Sequence, residues 1–175
     1  MSKQKCEICD LIKSKKGKLY EDEKIYAFLA PKPASTGHVI LTSKEHYPIL
    51  EQMPDFIAGE LFTKANKISM AAFETIGAEG TNILMQNGVA AGQKHNHAIL
   101  HIIPRRENDG LNLMWQPRQM DEEQMSTVEL KIKKEAEGVG AFEQEKEKPV
   151  EVKGPEKIKA GPEEDYLLKQ LERLP

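Results

Sequence analysis

The stretch "AGQKHNHAILHIIPRR", residues 91–106, carries three of the chain's five histidines. Read as a strand, it places alternate side chains on one face, so His95, His97, Ile99 and His101 point the same way. A lone histidine on an apolar strand is more often a satisfied core residue. Several on one face after a glycine turn are harder to dismiss, since each buried imidazole needs a partner. The preceding "NGVAAGQ" supplies backbone N–H groups and the side chains of Asn87 and Gln93, which suit a phosphate or another anion beside the imidazoles. Imidazole is a nucleophile at phosphorus or a general acid toward a leaving group, so these residue types point to a phosphate-ester or nucleotide site. Ile99 stands where a fourth histidine would complete the row.

Around this stretch the pattern is that of an α+β domain. "CEICDLIKSKKG" reads as a short helix opening on the two cysteines and closing at Gly17. "KLYEDEKIYAFLAP" reads as a hairpin with a charged turn, ended by Pro31 and Pro33. "GHVILTSKEHY" and "TNILMQNG" read as further strands, and the histidine strand is expected to stop at Pro104. After Pro54, Ile57, Leu61, Ala65, Ile68, Ala72 and Ile76 recur at spacings of three and four. They predict one long helix ended by Gly77 and Gly80. "MDEEQMSTVELKIKKEAEG" predicts a second helix, with Asp121 and Gln124 as a capping box and Gly138 as its stop. Residues 1–138 are therefore expected to form one domain. Residues 139–175, rich in Glu, Lys, Pro and Gly, read as a linker or extended arm. The arm ends in a short helix with Leu167, Leu171 and Leu174 on one face, which is marginal alone and expected to dock on its own dimer or on a protein partner.

Composition narrows the class. With 175 residues, 39% hydrophobic and 30% charged, the chain can bury an adequate core. A net charge of −3 argues against nucleic-acid binding as the main role. No apolar run approaches the roughly 18 residues of a membrane span, and "MSKQKCEICD" lacks a signal peptide's apolar region, so a cytoplasmic protein is expected. In a reducing compartment Cys6 and Cys9, spaced C-x-x-C, suggest zinc or redox chemistry. The redox reading needs a strand leading into the motif, and this motif starts the chain. A closed zinc site needs two more ligands, for which His46 and one histidine of the 95–101 stretch are the available donors.

"CEIC", "YEDEKIYAFLA", "TGHVILTSKEHY", "GTNILMQNGVAAGQ" and "HAILHIIPR", in that order over roughly residues 6 to 120, resemble the histidine triad family of nucleotide hydrolases and transferases. The resemblance implies an antiparallel sheet with one long helix, and sheets joined across a homodimer. It aligns His97 and His101 with the first and third histidines of the triad. Ile99 then takes the place of the middle histidine, which attacks the α-phosphate in the family. His95 lies two residues before His97, on the far side from Ile99, so it is a poor substitute. The family's acidic ribose contact after "AFL" is also missing, since Ala30 and Pro31 follow. Asn82, Asn87, Gly92 and Gln93 match the phosphate-side residues. Some microbial members resemble zinc proteins whose ligands correspond to Cys6, Cys9, His46 and His97, which implies a structural zinc with no open position for a catalytic water. Trp115, in "DGLNLMWQPRQM", falls where relatives lean a segment over the ligand or the partner subunit.

The leading expectation is a nucleotide- or phosphate-compound-binding homodimer with weak or no ordinary nucleotidyl-hydrolase activity and with His101 as a remaining hydrogen-bond partner. The alternatives are a phosphohydrolase or nucleotidyl transferase of altered mechanism, served by His101 or His95, and a zinc-stapled interaction module acting through the C-terminal tail.

Overall fold

The charged turn of the first hairpin shows how local chemistry sets the architecture. Asp22 Oδ1 accepts from the backbone N–H groups of Lys24 (2.9 Å) and Ile25 (2.7 Å), the side-chain-to-backbone pairing that favours Asp in turns. It joins β1 (Lys18–Glu21) to β2 (Ile25–Leu29). The computed structural model describes residues 6–140. Within it follow β3 (Val39–Ser43), the 22-residue helix α2 (Asp55–Ile76), β4 (Gly80–Met85), β5 (Ile99–Arg105) and α3 (Glu122–Glu135); α1 (Glu7–Ser14) precedes the hairpin. The five strands form one antiparallel sheet in the order β1-β2-β3-β5-β4.

Each face of the sheet has its own core. On one side Ile25, Ala27, Val39, Leu41, Leu100 and Ile102 pack against Ile57, Leu61 and Ala65 of α2. On the other, Tyr26, Phe28, Ile40 and Ile99 pack against Ile8 and Cys6, with Leu11 and Ile12 alongside. Burying each large aliphatic side chain contributes about 1.5–3 kcal/mol, so α2 clamps the sheet centre and the eight-residue α1 holds its opposite face more lightly.

Three features depart from the sequence expectation. On α2 the buried residues are Ile57, Leu61, Ala65 and Ser69, and Ile68 of the expected stripe packs against this core half-buried; Ser69, which the apolar spacing did not predict, is buried with its hydroxyl paired to Thr81 of β4 at 2.6 Å. β5 starts only at Ile99, since Ala98 gives its N–H to Tyr47 O (2.6 Å) and its carbonyl to the Thr42 hydroxyl (2.9 Å). And Pro104 lies inside β5, opposite Thr81, where a stop was expected. The pairing of β3 with β5 ends at Ile102, so beyond it one side of β5 is an open edge where a missing N–H costs little. The Ser35 hydroxyl donates to the Pro104 carbonyl at 2.7 Å.

The capping expectation for α3 holds in its main part: the Asp121 side chain accepts from the Gln124 N–H at 2.7 Å. The last turn passes through a short 3-10 segment, Ala136–Gly138. No residue of α3 is buried, and Trp115 is 82% exposed in the single chain. The expected arm beyond Gly140, with Leu167, Leu171 and Leu174, lies outside the described residues. Among the described residues no helix is long and apolar enough to cross a membrane.

Candidate functional site

Four ligand-type side chains from three separate parts of the chain meet at the start of α1. Cys6 and Cys9 are one helical turn apart, His46 follows β3, and His97 precedes β5. Their donor atoms all lie within 4.8 Å of one another. His97 Nδ1 is 3.6 Å from both Cys6 Sγ and Cys9 Sγ, and His46 Nδ1 is 3.5 Å from Cys9 Sγ. Tetrahedral zinc, with bonds of about 2.3 Å to sulfur and about 2.0–2.1 Å to nitrogen, would separate S and N by roughly 3.6 Å. The cluster therefore has the spacing of a closed metal site.

The tautomer agrees. His97 Nε2 lies 3.1 Å from the Ser43 carbonyl, which can only accept, so Nε2 carries the proton and Nδ1 keeps its lone pair for a metal. Burial holds the fully enclosed His97 ring down to about 4, so it stays neutral and ligand-competent at pH 7. Burial, followed by the neighbouring Cys6, pushes the Cys9 thiol up to about 11, so a metal binding there must displace its proton. The donor set fits zinc, and all four positions named from the sequence come together.

Beside this cluster, on the α1 side of the sheet, lies an open cleft of about 820 Å³. Ile40, Ile99, Ile103 and Leu84 form its floor, and Glu7, Ile8, Asp10, Leu11 and Ser14 of α1 form one wall. Ala30, Pro31 and Lys32 bound another side; Gln86, Gln93, Lys94 and His95 line the remainder. His38 and His101 also face it. The expected common face exists only in part: His95, Ile99 and His101 line the cleft, but residues 95–98 precede β5 and His97 turns to the cysteines.

Sequence reasoning missed His38. The register contained the signal: Ile40 lies opposite His101, so His38, two residues earlier, falls on the same face. The geometry defines a directional relay. The Ala34 N–H donates to His38 Nδ1 at 3.0 Å, so His38 is protonated on Nε2. That atom lies 3.0 Å from His101 Nδ1 and donates to it. His101 is left with Nε2–H as its donor. Burial lowers the affinity of His38 for a further proton; burial first, then His38, hold His101 down at about 4. At neutral pH the pair is an uncharged hydrogen-bond donor chain.

The residues expected on the phosphate side separate. Gln93 lines the cleft, but its amide accepts from Gly88 N–H (2.7 Å) and donates to the carbonyls of Pro48 (2.7 Å) and His95 (2.8 Å). Asn87, Asn82 and Gly92 are not among the lining residues. Asn87 accepts from Leu50 N–H at 2.8 Å and donates to Glu51 at 2.6 Å, and Asn82 accepts from Arg105 at 2.6 Å. Gly92 has φ +86 in a tight turn where a Cβ would meet Gln86 Nε2 at 2.5 Å, so its smallness shapes the turn.

The histidine pair makes folding pH-dependent. The folded-state value of His101, about 4, lies below the ordinary 6.5, so between these limits the unfolded chain binds more protons than the folded one. The contribution of the neutral pair is complete above about pH 6.5 and is lost as pH falls toward 4. Tm should therefore decline over that window, and an NMR titration should find His101 titrating well below 6.5. A midpoint at or above 6.5 would contradict the burial argument.

Comparison with known proteins places these features in context. A family model described as the HIT domain matches residues 13–108. An adenylylsulfatase of Arabidopsis thaliana is 39% identical over 108 residues, which are 61% of this chain and 55% of that protein; the chain thus spans about half that relative's length. An adenosine 5'-monophosphoramidase of Saccharomyces cerevisiae is 31% identical over 136 residues, covering 76% of this chain and 84% of the relative. The crystal structure of a zinc-bound histidine triad family protein from Mycobacterium smegmatis superposes with a TM-score of 0.58 at 28% identity, over 75% of this chain and 97% of that one. The antiparallel five-stranded sheet, the His-x-Ile-x-His segment of residues 97–101 and the matched domain model converge on one assignment: the chain belongs to the histidine triad (HIT) family.

Proposed function

We propose that this protein binds a nucleotide or a related phosphate compound in the α1-side cleft and turns it over weakly or not at all. The observation that carries this reading is Ile99. It is 6% exposed, lines the cleft floor and sits on β5 between His97, drawn to the cysteines, and His101, held in the relay. An alkyl side chain there neither attacks phosphorus nor carries a proton. The phosphoramidase and sulfatase relatives support a nucleotide as the ligand class.

In this reading His101 donates Nε2–H to a phosphate oxygen, His38 fixes the tautomer that makes the donation possible, and Lys32 and Lys94 supply positive charge at the rim. Gln93, Asn87, Asn82 and Gly92 shape the turn and the strand beside the phosphate end. Ala30 and Pro31 give the sugar end an apolar wall. Structural zinc at Cys6, Cys9, His46 and His97 would supply a fixed tetrahedral centre and no reacting group. The protein acts as a homodimer in a reducing, cytoplasmic setting that keeps both thiols available to the metal.

Calorimetric titration with AMP tests the binding half. Saturable binding is expected, weakened about tenfold by His101→Ala, the loss expected for one hydrogen bond to a charged group. Unchanged affinity in His101→Ala would remove His101 from the site. Turnover by the parent protein would instead favour the altered-mechanism hydrolase, for which the His38–His101 relay offers a proton donor.

A further inference from the structure

The metal cluster and the cleft share their walls. Cys6 and Cys9 stand at the start of α1, and Glu7, Ile8, Asp10, Leu11 and Ser14 of the same helix line the cleft. His97 ends the loop whose residues Lys94 and His95 line the facing side. Three consecutive loop residues meet the helix there. His95 Nδ1 is 3.3 Å from the Glu7 carboxylate, the Asn96 carbonyl is 3.6 Å from Cys6 Sγ, and His97 Nδ1 is 3.6 Å from both sulfurs.

Apart from this junction, α1 is held by the packing of Ile8, Leu11 and Ile12 against the sheet. It is eight residues long, a length at which an isolated helix is marginal in water. Its start carries no side-chain cap, and Ile8 is its one fully buried residue. The thiol contacts at 3.6 Å are weak on their own, because S–H is a poor donor and sulfur a poor acceptor. Replacing them by bonds to a shared ion would turn a loose junction into a fixed corner, joining α1 to the 93–98 loop and, through His46, to the end of β3.

We propose that the Cys6–Cys9–His46–His97 centre is the clamp that assembles the ligand cleft, so that metal binding and ligand binding are thermodynamically coupled. The ligand half of this inference rests on the nucleotide reading above; the structural half does not. With metal, the α1 wall and the 93–98 loop are held at their working separation. Without it, α1 keeps only the packing of Ile8, Leu11 and Ile12, and the cleft wall they form loosens. Coupling of this kind is reciprocal: whatever factor the metal contributes to ligand affinity, the ligand contributes to metal affinity.

The test compares the full chain loaded with one equivalent of zinc and the same chain stripped by a chelator. Hydrogen exchange is read at residues 7–14, 93–98 and 57–69, beside AMP titrations of both forms. In the stripped protein, α1 and the loop should exchange at nearly open-chain rates while the α2 segment keeps its protection. AMP should bind about tenfold more weakly, and AMP should tighten zinc binding by the same factor. Equal protection of α1 and the loop in the two forms would overturn the clamp. So would loss of α2 protection together with theirs, which would make the metal a general requirement for folding. If AMP binds neither form, the nucleotide reading fails, and the exchange comparison still decides whether the metal sets the wall.

Discussion

Ile99→His should confer turnover of adenosine 5'-phosphoramidate, raising AMP release on the order of 10³-fold above the parent protein, or about 4 kcal/mol in the barrier. The site for the new ring already exists. Ile99 lines the cleft at the head of β5, opposite Thr42, with His101 two residues along the same face. An imidazole there would attack phosphorus, forming an N–P bond as the P–N bond to the leaving amine breaks. His101 Nε2–H would hand its proton to that amine, and water would then release AMP. The substitution costs stability, because it puts a polar ring among Tyr26, Phe28 and Ile40. A loss of about 1–3 kcal/mol is expected unless the ring finds a hydrogen-bond partner. Mass spectrometry of quenched enzyme should find the adenylylated protein only in the variant. Failure of Ile99→His to release AMP while still binding it would mean that position 99 is not where the reaction was lost.

Stripping the metal should lower Tm by roughly 10 °C, and Cys9→Ser should do nearly the same. A site of nanomolar affinity in micromolar zinc adds about 4 kcal/mol through its preference for the folded chain. For a domain of this size about 1 kcal/mol shifts Tm by a few degrees. The core around α2 remains without metal, so the stripped protein should still unfold cooperatively. The Cys9 proton must leave when metal binds, so zinc affinity should fall by at least about tenfold per pH unit below neutrality. A Tm unmoved by chelator, in a sample that held zinc beforehand, would contradict a structural metal at these four residues.

Much of this was legible in the chain because the signals were local. The apolar spacing after Pro54, the Asp-bearing hairpin turn and the Asp121 cap each produced the element they predict, since each rests on contacts within one turn or one helix. Cys6, Cys9 and His46 were legible as candidate metal ligands because ligand chemistry admits few residue types, whereas the choice of His97 among the histidines of 95–101 came from the family resemblance. What escaped depended on neighbours distant in sequence. Pro104 stays in its strand only because β3 has already ended beside it. Ser69 enters the core only because its hydroxyl pairs with that of Thr81. His38 gains its role only when the register of β3 against β5 puts it 3.0 Å from His101. The amides of Asn87 and Gln93 looked free for a ligand, yet the turn they close engages them internally.

The most direct measurement is AMP release from adenosine 5'-phosphoramidate by the purified, zinc-loaded parent protein, run beside Ile99→His and His101→Ala. Saturable binding of AMP to the parent, no release of AMP from the phosphoramidate by it, and release by Ile99→His are the predicted results. Robust release by the parent, abolished in His101→Ala, would contradict the account and assign the chemistry to the His38–His101 pair.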